Sequence, residues 1–191
     1  MCDIEAVNAF SPDYIGFVFA KSPRRVTPDQ AADLRKRLSP NIIPVGVFVN
    51  EPIDSIMELI RSDVIEIIQL HGNETEEYVE KMKEMCENPI IKAVSVTAAG
   101  DVQRWENTCA DYLLLDNKTG GTGESFDLRL IGNTKKPFFL AGGLNVENIE
   151  AAIQKTNPFA VDISSGVETD GLKDGEKIEK IISIVRRIRN G

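Results

Sequence analysis

The stretch DYLLLDNKTGGTGESFD (111–127) decides how the chain is read. Its apolar run, Tyr112 to Leu115, is continuous rather than alternating. That is the pattern of a strand covered on both faces, as in a parallel sheet flanked by helices. The run ends on an acid, Asp116, and a loop with Gly120, Gly121 and Gly123 follows. A carboxylate at the tip of a buried strand raises the question of what it does there.

Similar runs recur on either side: YIGFVFA (14–20), PVGVFV (44–49), VIEIIQL (64–70), PIIKAV (89–94), PFFLAGG (137–143) and PFAVDISSG (158–166). Helical patterns lie between them. Residues 27–38 open with Thr27 as N-cap and Pro28 in the first turn. Residues 51–62 carry apolar positions at helical spacing, and 75–86 place acids early and bases late, which suits the helix dipole. Residues 145–155 begin at Asn145, and 174–190 end in arginines. The opening segment, 2–10, also reads as a helix. A βα unit that repeats roughly every 20–30 residues gives an α/β architecture. The expectation is a (β/α)8 TIM-type barrel rather than an open sheet, with seven parallel strands and eight helices in a single domain over 1–191.

Bulk properties narrow the function. The formal net charge of −8 argues against nucleic-acid and anionic-membrane partners. An anionic ligand would need a local site of backbone N–H groups and one or two cations. Three cysteines, Cys2, Cys86 and Cys109, form an odd set without metal-ligand spacing, which fits reduced thiols in a cytoplasm. No signal peptide and no membrane-spanning run is evident.

In barrels and open α/β sheets, chemistry gathers at the C-terminal ends of the strands. Those ends supply Arg24 and Arg25, then Asn50, Gln69 with His71, Ser95, Asp116, Gly142 with Gly143, and finally Asp162, Ser164, Ser165 and Gly166. Asp116 serves equally well as an acid catalyst or as a cap for its own loop. Gly142 and Gly143 either make a tight turn or leave N–H groups for an anion. The SSG turn offers the same chemistry at the next strand, and phosphate held after the last two strands is a recurrent barrel feature. His71, the single histidine, is as suited to packing or hydrogen bonding as to catalysis. Arg24 is a surface charge or a clamp for a carboxylate or phosphate.

The segments GFVFAKSPRRV, VGVFVN, QLHG, LLLDNKTGGTGESFD, LAGGLNVENI and FAVDISSGVE follow one another in a distinctive order. In that order and spacing the chain resembles the phosphoribosylanthranilate isomerases, barrels of tryptophan biosynthesis, over nearly its whole length. The resemblance implies an Amadori rearrangement of N-(5-phosphoribosyl)anthranilate to 1-(2-carboxyphenylamino)-1-deoxyribulose 5-phosphate. It implies that Asp116 is the general acid and that Arg24 grips the anthranilate side. Gly142, Gly143, Ser164, Ser165 and Gly166 match the family's phosphate site, Asp162 lines the substrate site, and His71 joins the substrate-binding set. The glycine-rich loop would fold over the substrate. No cofactor and no metal is implied, and the partner is a small phosphorylated molecule. The family opens with a strand ending in Lys-x-Cys-Gly whose cysteine is the general base. That segment is missing ahead of Asp3, so impaired turnover is expected, with a non-catalytic phosphosugar-binding barrel remnant as the alternative. Exposed strand edges would leave the chain a monomer or an edge-paired homodimer.

Overall fold

The computed structural model describes residues 2–116 and 127–190. Its contacts divide the chain into two units, Met1–Ala93 with Thr108–Tyr112, and Val94–Asn107 with Leu113–Gly191. Through the first run α1 (Cys2–Phe10), β1 (Tyr14–Val18), α2 (Pro28–Arg37), β2 (Ile43–Phe48), α3 (Ile53–Arg61), β3 (Ile67–Leu70), α4 (Glu76–Met85) and β4 (Ile90–Ser95), whose last residues belong to the second. Next come β5 (Tyr112–Asp116), β6 (Phe138–Leu140), α5 (Ile149–Thr156), β7 (Ala160–Val161), the pair β8 (Glu168–Thr169) and β9 (Leu172–Lys173), and α6 (Gly175–Asn190). The seven strands β1 to β7 form a sheet in chain order. This is the expected α/β arrangement of strand and helix. None of the described helices is long and apolar enough to cross a membrane.

Local chemistry explains where the elements of the first unit start. Thr27 accepts the Gln30 N–H at 3.2 Å, and the Gln30 side chain accepts the Thr27 N–H at 2.8 Å. This reciprocal capping box satisfies two of the donors that a helix N-terminus leaves open. Thr75 caps α4 through the Tyr78 N–H. α1 is the first described element, and Ile4 and Val7 pack with Ile15, Leu34, Leu38 and Ile42. Burying each such aliphatic side chain contributes about 1.5–3 kcal/mol. Asn8 fixes α1 further by donating to the Arg37 carbonyl and accepting the Ser39 N–H.

The expectation of eight helices is corrected to six α-helices among the described residues. Among the described residues, the connections after β4 and ahead of β6 show only 3-10 turns. After β4, the Asp101 carboxylate accepts the N–H groups of Thr97 and Ala98 and the Thr97 hydroxyl. Gly100 stands at φ 96°. That tight loop leaves room only for a 3-10 turn, Gln103–Trp105. Ahead of β6, a second 3-10 turn, Leu128–Ile131, stops at Gly132, whose φ of 63° ends the helical path. The loop glycines Gly120, Gly121 and Gly123 lie outside the described residues.

In the second unit, Leu113, Leu115, Phe138, Leu140 and Val161 share one cluster with Val102, Ile131 and Ala152. These strand positions alternate along the chain, so that face of β5 to β7 lies under the covering turns and α5. The intervening residues, Leu114, Asp116, Phe139, Ala141 and Asp162, take the opposite face.

Candidate functional site

β5, β6 and β7 end level with one another. Leu115 pairs with Leu140, and Leu140 with Val161. The ladder runs one step further, because the Ala141 N–H donates to the Leu115 carbonyl and the Asp162 N–H to the Leu140 carbonyl. Asp116 and Asp162 therefore occupy matching positions on the two strands that flank β6, on the face turned from the helices. Asp116 is half-buried, and its carbonyl accepts the Val96 N–H at 2.8 Å. The backbone under the acid is thus part of the regular hydrogen-bond pattern.

Two turns follow β6 and β7, and the fold locks them together. Gly142 and Gly143 have φ of 84° and 66°, a left-handed conformation in which only glycine rests without strain. Asn148 holds this turn by donating to the Gly143 carbonyl and accepting the Asn145 N–H. Asn145 accepts the N–H groups of Glu147 and Asn148. It therefore caps a turn ahead of α5, which starts at Ile149 rather than near Asn145. A Cβ on Gly166 would lie 1.8 Å from the Leu144 carbonyl oxygen. The bare Cα of Gly166 is what lets the SSG turn approach the GG turn. Ser164 and Ser165 are exposed beside it.

The hairpin β8–β9 braces this assembly, and the sequence reading missed it. Its available signal was Asp170-Gly171, a pair that favours the type I′ hairpin turn. Both residues have positive φ, 52° and 79°. The hairpin brings Lys173 back so that its ammonium donates to the Ser164 carbonyl and to Glu168. Asp174 then caps α6 through the N–H groups of Glu176 and Lys177. The Thr169 hydroxyl and those amides hold its carboxyl below the usual range.

Arg24 and His71 belong to the first unit. Arg24 is exposed in the loop after β1, where its N–H donates to the Ser22 hydroxyl. That loop is tied back by the Val18–Arg25 bridge. His71 follows β3; its N–H donates to the Phe48 carbonyl, and its Nδ1 lies 3.0 Å from the Gln69 amide nitrogen.

A second feature missed in the sequence lies in the same unit. Lys92 and Glu74 form an ion pair at 2.9 Å with side chains only 2% and 1% exposed. Glu74 also accepts the N–H groups of Asn50 and Gly72. Burial pushes the Glu74 carboxyl up, but these hydrogen bonds and the Lys92 charge outweigh it and hold the carboxyl below its ordinary range. The stability this contributes is fully present above the unfolded-state pKa, near the ordinary glutamate value of about 4.3. It is lost as pH falls through the lower, folded-state value. Melting temperature is accordingly expected to drop on acidification below that range. Glu74→Gln/Lys92→Met should show a shallower drop; an unchanged acid profile would count against the pair as its source.

Cys86 and Cys109 precede β4 and β5, at the N-terminal ends of the strands. Burial raises the pKa of both thiols, aided at Cys109 by Glu76 and Glu80 and at Cys86 by Asp111. Neither is poised as a thiolate.

The chain matches the family model described as N-(5'phosphoribosyl)anthranilate (PRA) isomerase over residues 2–184. It is 47% identical to the N-(5'-phosphoribosyl)anthranilate isomerase of Clostridium acetobutylicum, covering 98% of this chain and 94% of that protein. The crystal structure of the phosphoribosyl anthranilate isomerase of Thermotoga maritima superposes with a TM-score of 0.85 at 38% identity, over 97% of this chain and 95% of that one. A phosphoribosyl anthranilate isomerase in complex with reduced 1-(o-carboxyphenylamino)-1-deoxyribulose 5-phosphate gives a TM-score of 0.82 at 36% identity, over 97% and 94%. With the family model matched over almost the whole chain and a relative this similar across both lengths, the chain belongs to the N-(5'-phosphoribosyl)anthranilate isomerase family.

Proposed function

We propose that this isomerase converts N-(5-phosphoribosyl)anthranilate to 1-(2-carboxyphenylamino)-1-deoxyribulose 5-phosphate with Asp116 as general acid and the paired turns after β6 and β7 as the phosphate cradle. The observation that carries the reading is the contact of Gly166 with the Leu144 carbonyl. It brings the GG and SSG turns against one another at the ends of the two strands that follow Asp116 in the sheet. Turns of this kind direct backbone N–H groups at an anion. A structural relative holds a phosphorylated ligand, which supports a phosphosugar at these turns.

The chemistry then follows from the carboxyl at the end of β5. Asp116 gives its proton to the sugar ring oxygen, the bond from that oxygen to the anomeric carbon breaks, and the nitrogen lone pair completes a Schiff base. A base next removes the proton from the adjacent sugar carbon, and the resulting enolamine becomes the ketone. Cys86 and Cys109 stand at the wrong strand ends for that base. Arg24 is assigned to the anthranilate carboxylate, as a guanidinium fork suits a planar anion. Asp162 lines the substrate site, and His71 contributes to substrate binding.

Titration of the labelled chain with the reduced product analogue or with inorganic phosphate tests the cradle. The amide signals of Gly142, Gly143, Ser164, Ser165 and Gly166 are expected to move first. Shifts confined to other loops would overturn the assignment. Loss of substrate and appearance of product, followed in parallel, separates a catalyst from a chain that only binds phosphosugars.

A further inference from the structure

We propose that the buried Lys92–Glu74 pair is a positioning device for His71, which it helps hold with Nδ1 as acceptor and Nε2 as the N–H donor for an acceptor oxygen of the substrate. The inference rests on the assignment of His71 to substrate binding. Its structural basis lies wholly in the first unit.

The pair grips the chain on both sides of the histidine. Lys92 Nζ donates to the carbonyl of the preceding residue, Leu70, at 3.3 Å and to that of the following residue, Gly72, at 2.8 Å. Its third strong contact is the Glu74 carboxylate at 2.9 Å. Glu74 in turn accepts the Gly72 N–H at 2.9 Å and the Asn50 N–H at 2.7 Å. The peptide groups flanking His71 are therefore tied to one ion pair, and through Asn50 to the loop that follows β2. Gly72 is packed so closely that an added Cβ would stand 2.7 Å from the Asn50 amide oxygen and 2.8 Å from the Glu74 carboxylate. His71 itself has its N–H on the Phe48 carbonyl at 2.7 Å.

The ring is fixed from the other side. Gln69 is buried, and its amide nitrogen lies 3.0 Å from His71 Nδ1. With the Gln69 amide as donor, Nδ1 supplies the lone pair and the ring N–H is the one on Nε2, which is the arrangement proposed. A buried ion pair is weak evidence for stability, because desolvation offsets much of its Coulomb attraction. Its charge-assisted bonds are short and directional, though. That directionality is what a histidine with one required orientation uses.

The test exploits the single histidine of the chain. Long-range nitrogen–proton spectra of the full, 15N-labelled chain at neutral pH, without substrate, should show Nδ1 unprotonated and Nε2 protonated. Glu74→Gln/Lys92→Met removes both charges, so no unpaired ion stays buried. In that variant the imidazole signals should move toward an average of the two tautomers. Its kcat/KM should fall about tenfold, as expected for one misplaced hydrogen bond. Gln69→Leu, which leaves the ion pair intact, should shift the imidazole in the same sense and serves if the double variant does not fold. Parent spectra with Nδ1 protonated would overturn the proposal. So would a folded double variant with the parent's imidazole signals and kcat/KM. Failure of the proposed function would appear separately, as a parent chain that neither turns over substrate nor binds the product analogue.

Discussion

Asp116→Asn is expected to lower kcat by about 10²–10⁴-fold, the usual contribution of a positioned general acid, while KM changes little. The substitution keeps size and shape, so the strand should not move. The Asp116 carbonyl still accepts the Val96 N–H, and the Ala141 N–H still reaches the Leu115 carbonyl. What disappears is a transferable proton. An amide donates a hydrogen bond to the ring oxygen but does not protonate it as the bond to the anomeric carbon breaks. That need arises in the transition state and hardly at all in the bound ground state, so the loss falls on kcat. Binding of the product analogue should survive, since the turns proposed to hold phosphate lie on other strands. Initial rates over a range of substrate concentration decide it. A variant with near-parental kcat would reduce Asp116 to a cap for its loop.

The strands were legible because parallel strands buried on both faces leave unbroken apolar runs. YIGFVFA and DYLLLD each became a strand within two residues of the expected ends. Helices with side-chain caps at Thr27 and Thr75 were legible for the same local reason. The crossover after β4 was not, because Asp101 folds back on its own loop and spends the segment on a tight turn. The hairpin β8–β9 had a readable cue in Asp170-Gly171, yet strands of two residues carry no periodicity. The rule of strand C-terminal ends placed Asp116, Asp162 and the glycine turns at those ends. It could not reveal Glu74, whose partner Lys92 lies 18 residues further on in β4. The cue left unread was the lysine inside PIIKAV, because a cation buried in a strand needs an anion. Which anion it finds depends on how the β3 loop folds back, and no local pattern encodes that.

Gly166→Ala should act on the turns assigned to phosphate, and on binding where Asp116→Asn acts on kcat. The added methyl would sit 1.8 Å from the Leu144 carbonyl oxygen and 2.9 Å from its carbon. Both are backbone atoms, so no side-chain rotation relieves the overlap. One of the two turns has to shift by more than an ångström. Leu144 resists, because Gly143 before it and Asn145 after it are both tied to Asn148. The SSG turn resists as well, since Lys173 holds the Ser164 carbonyl and the hairpin holds Lys173. Overpacking of this kind typically costs about 1–3 kcal/mol of stability. The larger effect should fall on ligand binding. N–H groups that converge on an anion lose their aim when either turn moves, so KM and the dissociation constant for the product analogue should rise by roughly tenfold or more. The chemical step should be affected less, because Asp116 and its backbone hydrogen bonds lie on β5, away from the displaced turn. Calorimetric titration with the product analogue, alongside kcat and KM, separates the two effects. A Gly166→Ala protein that binds the analogue as tightly as the parent would show that this close approach does not build the phosphate site.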